Sequence, residues 1–146
     1  MIAAVHQPYG GITAIQKTPI NADFSRGDRM TKGPLGSGAV RLGEPQEIMG
    51  IAEGTETALS AMMLTGMSVW ASLGRTRLHN VELPAFVREV HIFADNDAPG
   101  REAAWRASNA HCELGRTVRI RRPPPEIKDY NDFIKSDADA WAKDWS

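Results

Sequence analysis

The chain has 146 residues, 42% of them hydrophobic, which suits one domain with a real core, or one domain plus a small appendage. A formal net charge of −1 excludes a polycation that holds nucleic acid by bulk charge alone, and a single cysteine, Cys112, excludes an intrachain disulfide framework or a cysteine-rich zinc site. No apolar run approaches the roughly 20 residues of a membrane span and the start MIAAVHQPYGG lacks the segments of a signal peptide, so a soluble, cytoplasmic chain without membrane partners is expected.

In chain order, residues 2–20 read as a hairpin, because IAAVHQ and GITAIQK are apolar-rich runs on either side of the turn Pro8-Tyr9-Gly10-Gly11. Residues 21–38 are polar and glycine-rich and read as a loop, with Arg26, Arg29 and Lys32 spaced three apart. AVRL (39–42) is a short strand before Gly43-Glu44-Pro45. From about residue 47 the texture changes. EIMGIAEG reads as a strand ending in Glu53-Gly54. TETALSAMMLTG follows as a helix, with Thr55 as its cap and Ala58, Leu59, Met62 and Met63 on one face, the methionines in the core. MSVWA is a second strand, closed by Ser72-Leu73-Gly74, and a loop with Arg75 and Arg77 leads on to Pro84.

VREVHIFADND is the clearest strand in the chain. Its apolar residues Val90, Ile92, Phe93 and Ala94 run straight into Asp95-Asn96-Asp97. Pro99 opens a helix lasting to about Glu113, as a proline in the first turn can, and Gly115 ends it. RTVRI is a further strand, stopped by Pro123, Pro124 and Pro125, and the tail holds KDYND and one or two short helices with Trp141 and Trp145. Strands alternating with helices predict an α/β fold with a mostly parallel central sheet flanked by helices, preceded by the small hairpin region. The expected divisions are 1–46, 47–135 and 136–146.

Ligands of open α/β sheets sit at the carboxyl ends of strands, and two predicted strands end there in acids: Glu53 on one, Asp95 and Asp97 on the other. Asp95 and Asp97 are two apart and share a side if the backbone stays extended. Carboxylates gathered at one edge repel one another, and a hard divalent cation relieves this with oxygen ligands. Each half has a plainer reading: Glu-Gly is a common turn, and Asp-Asn-Asp-Ala-Pro-Gly can cap the helix that follows. The two in this order, each at a strand end, are far more specific. His91 is expected to pack beside the Asp pair. His111 and Cys112 splay apart on a helix and make no zinc site.

IAEGTETALSA, SVWASLG, VHIFADNDAPGREAA and GRTVRI with KDYND together resemble the Toprim domain, over roughly residues 47–135, and most closely the Toprim domains of phage, plasmid and mobile-element primases or primase-helicases. The upstream hairpin and KGPLGSGAVRLG look like what precedes Toprim in such primases. The resemblance implies a compact Rossmann-like fold. It implies that Glu53 is the general acid/base or a metal ligand, that Asp95 and Asp97 hold Mg²⁺ or Mn²⁺, and that Asp129 of KDYND joins them, with Asp132 a weaker choice. Gly54 would let the backbone turn tightly beside the acid, and Gly74 and Gly100 would stand at loops facing the site.

Lys32, Lys128, Arg26 and Arg29, with Arg75 and Arg77, are candidates to hold phosphates or template, and Arg119, Arg121 and Arg122 form either a basic stripe for single-stranded nucleic acid or an exposed strand face. The partners implied are single-stranded DNA, nucleoside triphosphates and a helicase. The activity implied is metal-dependent primer synthesis, with a Toprim nuclease or a non-catalytic metal- and nucleic-acid-binding module as alternatives. The pattern departs from the family at Thr57, where bacterial replicative primases often carry a further acid. A zinc module and a G-x-x-x-x-G-K-[ST] motif are also missing from these residues. A catalytic fragment, a stand-alone domain or a portion of a longer protein is therefore expected.

Overall fold

The computed structural model describes residues 1–23 and 25–136. Its elements are β1 (Ile2–His6), β2 (Ile12–Lys17), β3 (Met30–Lys32), β4 (Ala39–Leu42), β5 (Ile48–Ala52), α1 (Thr55–Thr65), β6 (Val69–Ala71), a 3₁₀ turn (Arg75–Asn80), β7 (Glu89–Phe93), α2 (Ala98–Glu113), β8 (Thr117–Arg121) and α3 (Tyr130–Ser136). All eight strands join one sheet in the order β3-β2-β1-β4-β6-β5-β7-β8. Its β6-β5-β7-β8 half is parallel. Parallel neighbours need a crossover, and α1 and α2 supply it between β5 and β6 and between β7 and β8. The other half is antiparallel: β4 lies against β6, β1 against β4, and the β1–β2 hairpin carries β3 at the outer edge.

Side chains alternate across each strand, so the sheet has two apolar faces. Met49, Ile51, Val90 and Ile92 meet Ala103, Ala104 and Ala107 of α2 on one side. Ala52, Val69, Ala71 and Phe93 meet Ala58, Ala61 and Leu64 of α1 on the other, with Tyr130 of α3. Small residues let the helices approach closely. At Gly50 the approach is tight within the sheet face itself: a Cβ there would lie 2.6 Å from the Phe93 ring and 2.9 Å from Val69.

The helix α1 is rotated relative to the expected face. Its buried residues are Thr55, Thr57, Ala58, Ser60, Ala61 and Leu64, while Leu59 and Met63 are 41% and 64% exposed and Met62 is half-buried. Close packing on the sheet takes the small residues together with Leu64, so Met63 is not core and Met62 packs against the core only in part. Thr55 is not the cap; Gly54 holds that position without a side-chain bond, and Thr55 is buried in the first turn. The loop over 21–38 contains β3, whose three residues are all exposed and so lack the alternation that marks a strand in sequence. A 3₁₀ turn replaces the loop expected at Arg75. His91 is buried and 2.8 Å from Glu89, and on α2 His111 is buried while Cys112 is exposed. Trp141 and Trp145 lie outside the described residues. Among those residues no helix is long and apolar enough to cross a membrane.

Candidate metal and phosphate site

Glu53 follows β5 directly. Its carbonyl accepts from the Gly74 amide at 3.2 Å, and the Ser72 amide bonds Ala52 at 2.9 Å, so the ends of β5 and β6 are laced together. The lacing loop is strained: Leu73 has φ 60° and Gly74 φ 148°, both in the region that favours glycine. Leu73 and Gly74 both line the cavity above the strand ends. Gly54 differs from the expectation. Its φ of −112° and ψ of 159° are extended backbone that any residue adopts, so no tight turn selects glycine there.

Asp95 comes two residues after β7. One of its oxygens, Oδ1, is buried without a hydrogen-bond partner. Burial pushes its carboxyl up to about 6, and the charges of Glu53, Asp129 and Asp97 push the same way, opposed by Lys128. Asp97 is exposed and caps α2, accepting from the Gly100 amide at 2.7 Å. The capping role and the proposed ligand role thus fall on one residue, and Asp97 does not line the cavity. Gly100 lies under the Asp pair rather than facing the cavity. A Cβ there would stand 2.8 Å from Asp97 Oδ1 and 2.9 Å from both the Cβ and the carbonyl oxygen of Asp95.

Asp129 reaches the site across the chain because of Asn96. The Asn96 side chain donates to the carbonyls of Pro123, Pro124 and Ile127 at 3.1, 2.8 and 2.6 Å, and its amide donates to Lys128 at 2.8 Å. Tyr130, buried with its ring edge-on to Phe93 at 5.2 Å, anchors the next residue. Asp129 caps α3 by accepting from the Asp132 amide at 2.9 Å.

Glu53, Asp95 and Asp129 line one cavity of about 280 Å³ together with Gly54, Gly74, Lys128, Arg26 and Arg29. Its far wall is held by Glu56: Arg26 Nη1 and Arg29 Nη2 reach its two carboxylate oxygens at 2.6 and 2.9 Å. Burial raises the Glu56 carboxyl, but the Arg26 hydrogen bond, a backbone bond and the Arg29 charge outweigh it and hold the group below its usual value. The sequence does not single out Glu56, since an acid in a first helical turn reads as dipole compensation; nor does it single out Asn96, hidden between two acids.

Lys32 is not brought to the cavity. On β3 it pairs with Ile15, whereas Thr31 pairs with cavity-lining Gln16, so alternation turns Lys32 to the opposite face. Arg77 donates to the carbonyls of Ser72, Leu35, Gly36 and Gly38 and is structural. Thr57 lines the cavity at the place of the family's further acid.

Among the described residues no three His, Cys, Asp or Glu side chains stand close enough to cage an ion in their present positions. The donor set nevertheless fits a hard divalent cation. The orphaned Asp95 oxygen, with Glu53 and Asp129 beside it, offers the one or two carboxylates that such an ion takes alongside water and phosphate oxygens.

The profile described as the Toprim domain matches residues 48–140. No curated protein sequence matches the chain. Among solved structures, the chain is similar to the primase fragment of the bacteriophage T7 primase-helicase protein, with a TM-score of 0.67 at 16% identity, covering 99% of this chain and 60% of that one. It is similar to a DNA primase domain from Pseudomonas aeruginosa, with a TM-score of 0.62 at 17% identity over 93% of this chain and 46% of that one. The zinc-binding and RNA polymerase domains of Aquifex aeolicus primase give a TM-score of 0.63 at 19% identity over 92% and 36%. Such identities show a shared fold, and the chain spans at most 60% of the length of these three structures.

Proposed function

The chain belongs to the Toprim domain family, and from that premise we propose that its acidic cavity is the metal-dependent nucleotidyl-transfer centre of a primase-type protein, making RNA primers on single-stranded DNA in the cytoplasm. The observation that carries the reading is Asp95: a carboxylate with a buried, unpartnered oxygen, set among Glu53, Asp97 and Asp129 and facing Arg26, Arg29 and Lys128. Acids on one wall and guanidinium groups on the other suit a nucleoside triphosphate, whose phosphates need both a cation and basic side chains.

In this reading Asp95, Asp97 and Asp129 hold Mg²⁺ or Mn²⁺, which would neutralise charge on the reacting phosphate oxygens. Glu53 takes the proton of the attacking hydroxyl. Arg26, Arg29 and Lys128 hold the phosphates, Gly54 and Gly74 line the cavity beside the acids, and Gly100 leaves room beneath Asp95 and Asp97. Residues 1–46 serve as a primase-like appendage that brings in the arginines, and a helicase is the partner that a primase would serve. The test is primer synthesis from nucleoside triphosphates on single-stranded DNA with Mg²⁺ or Mn²⁺. Asp95→Asn and Asp97→Asn should each abolish it, and undiminished product from either variant sinks the reading.

A second reading, a metal- and nucleic-acid-binding module without turnover, draws on the chain spanning at most 60% of the primase structures it resembles. It predicts metal-dependent thermal stabilisation without product. A nuclease would cleave DNA or RNA without added nucleotides under the same conditions.

A further inference from the structure

A second groove opens on the other side of the Asp95-Asn96 backbone. It is about 510 Å³ and lies between β8 and the first turns of α2. Arg101, Arg121 and Arg122 line it, all exposed, but Arg121 pairs with Phe93 and bonds His91 on the α1 face of the sheet, so only Arg101 and Arg122 belong to its α2 side. The bonding of the other arginines sets these two apart. Of the 12 arginines, Arg26, Arg29, Arg88, Arg106 and Arg119 pair with carboxylates. Arg41, Arg77 and Arg116 donate to backbone carbonyls. Four remain without either a carboxylate partner or such a cluster of carbonyls among the described residues, and two of the four, Arg101 and Arg122, stand on the α2 side of this groove; Arg101 makes only a bond to the Asn96 carbonyl. In a chain of net charge −1, an uncompensated basic cluster of this kind is local.

Its floor is apolar and stiff. Ile120 is 42% exposed on the edge strand, and Pro123 and Pro125 form the rim with their φ angles locked by the ring. The same Asn96 that anchors the Asp129 loop holds this rim through the carbonyls of Pro123 and Pro124, so the groove is built before a ligand arrives. Guanidinium groups suit phosphates spaced along a backbone, and an exposed apolar floor suits unstacked bases. Because Asp95 lines the cavity and Asn96 the groove, a strand in the groove passes beside the acidic site.

We propose that this groove is a track for single-stranded nucleic acid, with Arg101 and Arg122 on its phosphates. This rests on the nucleic-acid reading of the acidic site, but not on turnover there. The test is fluorescence anisotropy with a labelled oligothymidylate of about 20 nucleotides, using the full chain without divalent ions across a salt series. Arg122→Ala should weaken binding, and adding Arg101→Ala in a second variant should bring the loss to about tenfold or more. The slope of log affinity against log salt should flatten by about 0.7 for each phosphate no longer neutralised. Binding of a nucleoside triphosphate with Mg²⁺, read by calorimetry, should not change. Arg88→Ala, an exposed arginine paired with Glu47 and lining neither the cavity nor the groove, should change neither. If the double variant melts early, Arg122→Ala alone carries the test. Unchanged oligonucleotide binding, or a loss matched by Arg88→Ala, overturns the proposal. So does a concentration-dependent dimer abolished by the same substitutions, which would assign the β8 edge to protein association. Loss of primer synthesis in the acidic variants bears on the proposed activity alone.

Discussion

Asp95 binds its proton more tightly in the folded chain than in the unfolded one, with a value of about 6 against 3.8. Its contribution to stability is therefore complete below about pH 3.8 and is lost as pH rises through about 6. Glu56 works in the opposite direction: held below its usual 4.5, it stabilises above that value and less as pH falls through its folded value. Without divalent ions at neutral pH, Asp95→Asn should raise the melting temperature. Allowing for solvent screening of a half-buried group, the gain is about 1 kcal/mol, or roughly 2–4 °C. Calorimetry in chelator checks this, and a lower melting temperature would contradict it. Gly100→Ala reverses a familiar sign. Alanine for glycine in a helix usually stabilises by about 1 kcal/mol, but here the new Cβ meets Asp95 and Asp97 at 2.8–2.9 Å. A net loss of about 1–3 kcal/mol is expected, with loss of the thermal response to Mg²⁺. At this scale the placement of Glu53 and Asp95 just past strand ends was legible because each follows an apolar run, whereas Asp97 caps α2 outside the cavity. The Glu56 pairing with Arg26 and Arg29 was not, since its partners lie 30 and 27 residues away and no local pattern joins them.

The elements that hold the site act through a few contacts between loops. Asn96→Ala would leave three carbonyls of residues 123–127 without their donor and detach the Asp129 loop from the Asp95 turn. The expected cost is about 1–3 kcal/mol, read by denaturant unfolding, together with a weaker response to divalent ions. A stability equal to the parent would show that the loop stands without Asn96. The sequence pattern made β5, β7 and α2 clear, since long apolar runs and a proline-opened helix leave little choice. It misjudged α1, because small residues and Leu64 touch the sheet while Leu59 and Met63 face outward. It missed β3, which has no buried side to display.

At the scale of the whole molecule, the hairpin region and the parallel strands share one sheet through β4 on β6. Ala39 belongs to the core on the α2 side and Val40 to the core on the α1 side. Removing residues 1–46 would strip that strand and bare the β6 edge, whose three residues are all fully buried. The truncated chain should aggregate or unfold with lost cooperativity, as gel filtration and calorimetry would report. A monomer with the parent's melting temperature would mark residues 47–136 as self-sufficient. Length and composition could suggest an appendage, but not whether it was fused to the sheet, because strand order is a long-range property absent from local periodicity.

The acidic wall of the cavity rides on the ends of β5 and β7 and on the turn before α3, while Arg26 and Arg29 come from a segment upstream of all of them. The two walls can therefore diverge separately. In the proposed reading, replacing residues 21–29 would alter which anion the cavity takes while the carboxylates keep their scaffold, so the segment would behave as an exchangeable cassette on a fixed chassis.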